Sequence, residues 1–317
     1  MIRKLIGLIV VLAVIGAVIG WVLTAPKTLA ATDLPDHTPD LANGAFMFHA
    51  GGCDSCHSDR AAKGDDRLKL GGGLVLDTPV GKFHVPNISP DPENGIGKWS
   101  TLDFVNAMKM GVAPDGSHLY PAFPYYSYQR MKIEDIIDLK AFLDTLPPVA
   151  QAVPAHELLF PFSIRRGTGA WKLLYIDGKT FQPDPAATEE VNLGAYLVRA
   201  PGHCGECHSP RNIAKAIDES RAYGGGPDPD GKGWIPNITP DVKTGIGSLS
   251  HEDIVTVLTG GLSPLTFDSL GGEMAQVTRE LKAADELRPG TVAAIGAYLK
   301  SLQPIENQSP KKVEPTS

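Results

Sequence analysis

Two five-residue strings, Cys53-Asp54-Ser55-Cys56-His57 and Cys204-Gly205-Glu206-Cys207-His208, hold all four cysteines of this chain. Two thiols three positions apart on a tight helical turn can each add to a vinyl group of one porphyrin. The His that follows then presents its imidazole to the iron. Attachment and axial ligation come from consecutive residues, which is the pattern of covalent c-type haem. The reading is two covalently bound haem c groups, held by Cys53, Cys56 and His57 and by Cys204, Cys207 and His208, with His57 and His208 on the irons. A zinc knuckle, a redox dithiol and a structural disulfide are the competing readings. Zinc needs both Cys pairs near one another, whereas about 150 residues separate them here. A dithiol oxidoreductase needs no His after the second Cys and sits in a βαβ unit. Two copies with no Cys left over favour haem.

The elements that must position these motifs repeat as well. Pro86-Asn87-Ile88-Ser89-Pro90-Asp91 returns as Pro236-Asn237-Ile238-Thr239-Pro240-Asp241, and Gly95-Ile96-Gly97 returns as Gly245-Ile246-Gly247, each shifted by 150 positions. Asn43-Gly44-Ala45-Phe46 enters the first motif and Leu193-Gly194-Ala195-Tyr196 the second. Helical patterns over 133–146 and 291–302 close the halves, each stopped by a proline and each bearing an aromatic-Leu pair, Phe142-Leu143 and Tyr298-Leu299. The fold expected is all-α: two tandem class I cytochrome c-like domains, 33–150 and 187–304. The segment 151–186 between them contains Phe160, Phe162, Trp171 and Tyr175, too apolar for a flexible linker, so it is expected to be ordered and to pack across both domains. The polar stretch 305–317 reads as a disordered tail.

Met1-Ile2-Arg3-Lys4 is a short basic start, followed from Leu5 to Ala25 by an uncharged run long enough to cross a bilayer. Residues 1–26 therefore form a membrane anchor or a signal. The apolar run exceeds a usual signal core and the small-residue site Thr28-Leu29-Ala30 lies beyond its end, which favours an uncleaved transmembrane helix. Either way the cysteines are exported, to the periplasmic side of a bacterial inner membrane. Of 29 basic side chains, Arg3 and Lys4 sit in this run, leaving 27 basic against 36 acidic for the rest, a formal −9. That balance excludes a nucleic-acid partner. The 34 glycines and 27 prolines point to short helices joined by ordered loops.

Beyond the haem motifs and the repeated loops, the strings Gly116-Ser117-His118-Leu119-Tyr120-Pro121-Ala122-Phe123-Pro124-Tyr125 and Gly202-His203-Cys204, with Ser209-Pro210-Arg211-Asn212, stand out. Over roughly His37 to Pro304 the chain resembles the cytochrome c subunits of membrane-bound periplasmic dehydrogenases, such as alcohol and gluconate dehydrogenases. The resemblance implies an electron-transfer subunit that transforms no substrate itself. It implies a periplasmic dehydrogenase catalytic subunit as donor and quinone or a terminal cytochrome of the respiratory chain as acceptor. Those relatives typically carry three haems, and this chain has two motifs.

The sixth ligands separate a wire from an enzyme, because an open distal face would admit peroxide or other small molecules. Met274, in Gly271-Gly272-Glu273-Met274-Ala275, lies where an axial Met loop belongs in the second half. In the first half relatives often have Met where Phe123 stands, so Met131 is the candidate, with His118 as the alternative and an open iron third. An open first site would make the chain a dihaem oxidoreductase of the peroxidase or thiosulfate-oxidising type. Asn87 and Asn237 are candidate cofactor-binding residues, bonding propionates or fixing their loops against the porphyrin, while Pro86 and Pro236 offer carbonyls to the axial histidines.

Overall fold

The computed structural model describes residues 2–228, 233–262 and 269–307. A long apolar helix α1 (Ile2–Leu23) leads, exposed along its length. The first half then folds as α2 (Leu41–Ala50), α3 (Cys53–His57), α4 (Thr101–Met110), α5 (Tyr125–Tyr128) and α6 (Ile133–Leu143). After α7 (Gly167–Tyr175) the second half follows as α8 (Glu189–Arg199), α9 (Gly205–His208), α10 (His251–Gly260), α11 (Gly272–Leu287) and α12 (Thr291–Ser301).

Local chemistry starts these helices at matching places. Asp40 caps α2 by accepting from the amides of Ala42 and Asn43. Ser100 and Asp103 form a reciprocal capping box on α4, and Ser250 and Asp253 repeat it on α10, satisfying amides that a helix start leaves unpaired. The helix entering each motif crosses the last helix of its half at close range. A Cβ on Gly44 would lie 2.2 Å from the Asp138 carbonyl oxygen of α6, and one on Gly194 would lie 1.9 Å from that of Ala294 in α12. Only a residue without a side chain lets the backbones meet so closely. Around these crossings, Phe46, Phe48, Val105, Ile136 and Leu143 are buried in the first half, and Leu197, Val198, Val292, Ile295 and Leu299 in the second. Each large apolar side chain so removed from water contributes about 1.5–3 kcal/mol before entropy is charged. The two sets join into one continuous apolar cluster.

The halves are held together by polar contacts too. Helix α11 packs against α2 and α3 of the first half. Arg279 of α11 reaches Asp54 of α3 at 2.8 Å, Glu280 pairs with His49 of α2 at 2.7 Å, and Arg60 pairs with Glu273. Tyr196 of α8 donates to the Asp135 carboxylate of α6.

The architecture is mainly helical, but two small sheets qualify the all-α expectation. Strands β1 (Val75–Thr78) and β2 (Gly81–His84) form a hairpin, to which β3 (Glu157–Leu158) adds antiparallel; β4 (Gly226–Pro227) pairs with β5 (Trp234–Ile235). Along β1 the side chains of Val75, Leu76, Asp77 and Thr78 are exposed and half-buried in turn, as a strand with one covered face requires. The segment 151–186 is ordered and touches both halves: Lys109 donates to Thr180, Arg130 pairs with Asp177, and Trp171 donates to the Ala214 carbonyl. Residues 305–307, expected within a loose tail, are tied down, because Ile305 donates to Thr239 and accepts from Asn237, and Asn307 donates to Thr244. The remainder of the expected tail, 308–317, lies outside the described residues.

Candidate functional site

The histidine of each motif, His57 or His208, ends a one-turn helix and is fixed by the loop that returns beneath it. His57 Nδ1 lies 2.8 Å from the Pro86 carbonyl oxygen and His208 Nδ1 lies 2.9 Å from that of Pro236. A carbonyl only accepts, so Nδ1 carries the proton and Nε2 keeps its lone pair, the form a metal ligand needs. Burial pulls the His57 imidazole down to about 4, opposed by its bond to Pro86, and lowers His208 in the same way. Both rings are therefore neutral at physiological pH.

The loops are built alike. The Gly72 amide donates to the His57 carbonyl and the Gly225 amide to that of His208, each at 2.8 Å. Both glycines are left-handed, with φ of +71° and +72°. A Cβ on Gly72 would come within 2.5 Å of the Pro86 backbone, and one on Gly225 within 2.7 Å of the Pro236 backbone. These glycines were not anticipated, although Gly71-Gly72-Gly73 and Gly224-Gly225-Gly226 form a repeated triplet that could have revealed them. Further along the same loops, Asn87 donates to the Val149 and Gln151 carbonyls and accepts from the Ser89 amide. Asn237 donates to Ile305 and Thr244 and accepts from the amide of Thr239. Both ends of each side chain are thus committed to the protein, pinning the loop to the segment that follows the last helix of its half.

The four cysteines are unpaired thiols, and burial raises the pKa of every one of them. A redox dithiol or zinc site wants thiolate. Among the described residues no three His, Cys, Asp or Glu side chains converge as a metal cluster. Neutral thiols beside an imidazole with a free Nε2 fit a covalently attached haem.

The two motifs sit close to one another. The ring of His203, left-handed at φ +39°, packs edge-on to Tyr128 at 5.5 Å. Each motif also carries an acid that bonds across the halves: Asp54 to Arg279, and Glu206 accepting from Ser127 at 3.0 Å. Asp54 is 2% exposed and its Oδ1 has no hydrogen-bond partner among the described residues; burial and the charge of Glu280 raise its pKa against Arg279 and Arg67. Nothing in the variable positions of the motif signals this pairing.

The candidate sixth ligands lie in different settings. Met131 is 1% exposed in the core, at the entry to α6, and its carbonyl accepts from Lys109. Met274 stands half-buried on the first turn of α11, next to the Glu273 that pairs with Arg60 just past the first motif. His118 has both ring nitrogens engaged, Nε2 on the Thr24 carbonyl at 2.9 Å and Nδ1 accepting from Lys172 at 3.1 Å.

A Cys-x-x-Cys-His turn framed by crossing helices, with a carbonyl-bound axial histidine, defines a c-type cytochrome. The cytochrome c family model matches residues 41–147. The chain is 45% identical over 296 residues to a dihaem c-type cytochrome of Cereibacter sphaeroides, covering 93% of this chain and 97% of that one. It is 36% identical over 268 residues to the cytochrome subunit of a Gluconobacter japonicus fructose dehydrogenase, and 37% identical over 295 residues to the cytochrome c subunit of a Komagataeibacter europaeus alcohol dehydrogenase (quinone). It covers 84% and 87% of itself in these matches but only 53% and 60% of those longer subunits. The chain belongs to this family of c-type cytochromes, whose chemistry is electron transfer through covalently bound haem c.

Proposed function

We propose that the chain is a dihaem cytochrome c built from two tandem cytochrome c domains. It takes single electrons from the catalytic subunit of a periplasmic dehydrogenase and passes them to quinone or a terminal cytochrome of the respiratory chain. Helix α1 anchors it in the bacterial inner membrane with the body in the periplasm. The observation that carries this reading is the duplicated site, in which the same Cys-x-x-Cys-His turn, glycine and Pro carbonyl recur in both halves.

Haem bound at each motif supplies one-electron exchange at iron. The protein's own work is to hold two such groups in one rigid body and set their potentials. Cys53, Cys56, Cys204 and Cys207 would attach them, and His57, His208, Met131 and Met274 would hold their irons. The Pro86 and Pro236 carbonyls make the imidazoles better donors. Contacts across the halves, such as Asp54 with Arg279, keep the two motifs at a fixed separation.

A haemochrome assay against protein concentration tests the count, with two haems per chain expected. Absorption in the near-infrared and added carbon monoxide test the ligands. A sulfur-to-iron band at about 700 nm with no carbon monoxide binding is expected of closed His/Met sites. Carbon monoxide binding at one haem would favour the second reading, an oxidoreductase with an open first site.

A further inference from the structure

Helix α7 carries an unusual outer face. Its inner side holds Thr168, Gly169 and Lys172 buried, with Trp171 and Tyr175 half-buried. Its outer side presents Ala170, Leu173 and Leu174, and Leu174 is 74% exposed. A surface helix ordinarily turns charge to water. Here the helix's one ionisable amine, Lys172, is instead drawn inward to the Gly111 carbonyl at 2.7 Å and to His118. The turns leading into α7 continue the apolar face with Leu159, Phe160, Phe162 and Ile164, and Phe160 is 81% exposed. Hydrogen bonds from Ser163 to Leu159, Ile164 to Pro161 and Gly167 to Ile164 keep this lead-in compact.

The position of this face follows from α1. Arg166 donates to Thr24 at 3.2 Å and its guanidinium lies 4.2 Å from the centre of the Trp21 ring. The Cβ position of Gly169 falls 2.3 Å from the Thr24 carbonyl oxygen, so α7 abuts the end of α1 backbone to backbone. Helix α1 has 22 residues and is long and apolar enough to cross a membrane. At about 1.5 Å per residue it is about as long as a hydrocarbon core is thick, so its end reaches the headgroup boundary. A Trp stacked by an Arg suits that boundary, where aromatic rings and cations are both favoured.

We infer that α7 and its lead-in form a second membrane contact, seated in the lipid interface of the outer leaflet beside the exit of α1. The inference rests on α1 being a retained span. Leu159, Phe160, Phe162, Ile164, Leu173 and Leu174 enter the acyl boundary while Arg165 and Arg166 meet phosphates. A single helix would leave the body free to swing; this contact holds it in one orientation to the bilayer.

The test uses the full-length holoprotein in phosphatidylethanolamine/phosphatidylglycerol vesicles containing a photoactivatable phospholipid with its carbene precursor near the glycerol. Peptides are mapped by mass spectrometry. Label in α1 and in 159–174, with α12 as the unlabelled background, is the expected result. A Phe160→Ser/Leu174→Ser variant, changed only at exposed positions, should lose several-fold of the label in 159–174 while α1 is labelled as before. Label in α1 with 159–174 at background overturns the inference and leaves the face to a protein partner. Absence of label in α1 overturns the anchor reading instead; label confined to 159–174 would then keep the lipid contact without the span.

Discussion

Replacing Gly72 or Gly225 with Ala is the sharpest probe of the loop that seats each axial histidine. The new methyl carbon would sit 2.5 Å from the Pro86 carbonyl carbon and oxygen in the first case, and 2.6 Å from the Ile235 carbonyl oxygen and 2.7 Å from the Pro236 carbonyl carbon in the second. Ordinary contact needs about an ångström more, and the obstructing atoms are backbone. The loop must retreat, which breaks the 2.8 Å or 2.9 Å bond to the histidine. Left-handed backbone costs a residue with a Cβ about 1–2 kcal/mol, the lost hydrogen bond about 1 kcal/mol, and the overpacking about 1–3 kcal/mol. A total of about 3–6 kcal/mol corresponds to a fall in Tm on the order of 10 °C for a body of this size.

Thermal unfolding followed by circular dichroism reads the loss, and a redox titration reads its chemical consequence. The carbonyl makes the imidazole a stronger donor and so favours ferric iron, and loss of that bond should raise the potential of the altered haem alone. Gly260→Ala is the control, since a Cβ there meets nothing within 4 Å among the described residues. In a helix that change should stabilise by about 0.4–1 kcal/mol. If Gly72→Ala and Gly225→Ala melt within about 1 °C of Gly260→Ala, where about 10 °C is expected, the account of the loop is wrong.

Other perturbations separate the remaining claims. Arg279→Met leaves buried Asp54 with Arg67 alone at 3.3 Å, and should cost about 3 kcal/mol in urea unfolding, more than the same change at the exposed Arg60. Burial lowers Lys172 to about 7 from an ordinary value of 10.5. Between those values the unfolded chain binds the extra proton, so stability should rise with pH from about 7 to 10, and Lys172→Met should flatten that slope in urea midpoints. Met274→Ala should abolish part of the sulfur-to-iron absorption and lower one of the two potentials; an unchanged spectrum would remove Met274 as a ligand.

What the sequence disclosed and what it withheld divide along a physical line. Covalent attachment and ligation use consecutive residues, so the motifs are legible as text. Helix entry is local as well, and the capping boxes at Ser100 and Ser250 stand at matching positions in the repeat. The apolar run of α1 is legible by length. Pairings that span the chain are not: Asp54 meets Arg279 across 225 positions, and neither residue belongs to a periodic pattern. The repeated triplets around Gly72 and Gly225 mark a shared loop, but a glycine triplet says nothing of which carbonyl it must pass.

His118 shows how one histidine can be read in two ways. In sequence it is a spare imidazole near the first haem motif and hence a candidate ligand. In the fold it is a strut, with Nε2–H donated to Thr24 just past the end of α1 and Nδ1 accepting from the buried Lys172 of α7. An imidazole holding both of those bonds has no lone pair to offer iron, and releasing Nδ1 would leave the buried Lys172 with the Gly111 carbonyl alone. Ligation by His118 would therefore cost the junction between α1, α7 and the first half. Met131 demands no such sacrifice, because a thioether has no hydrogen bonds to surrender and the residue is already buried in the core of that half. The choice between the two is set by what each side chain would have to give up.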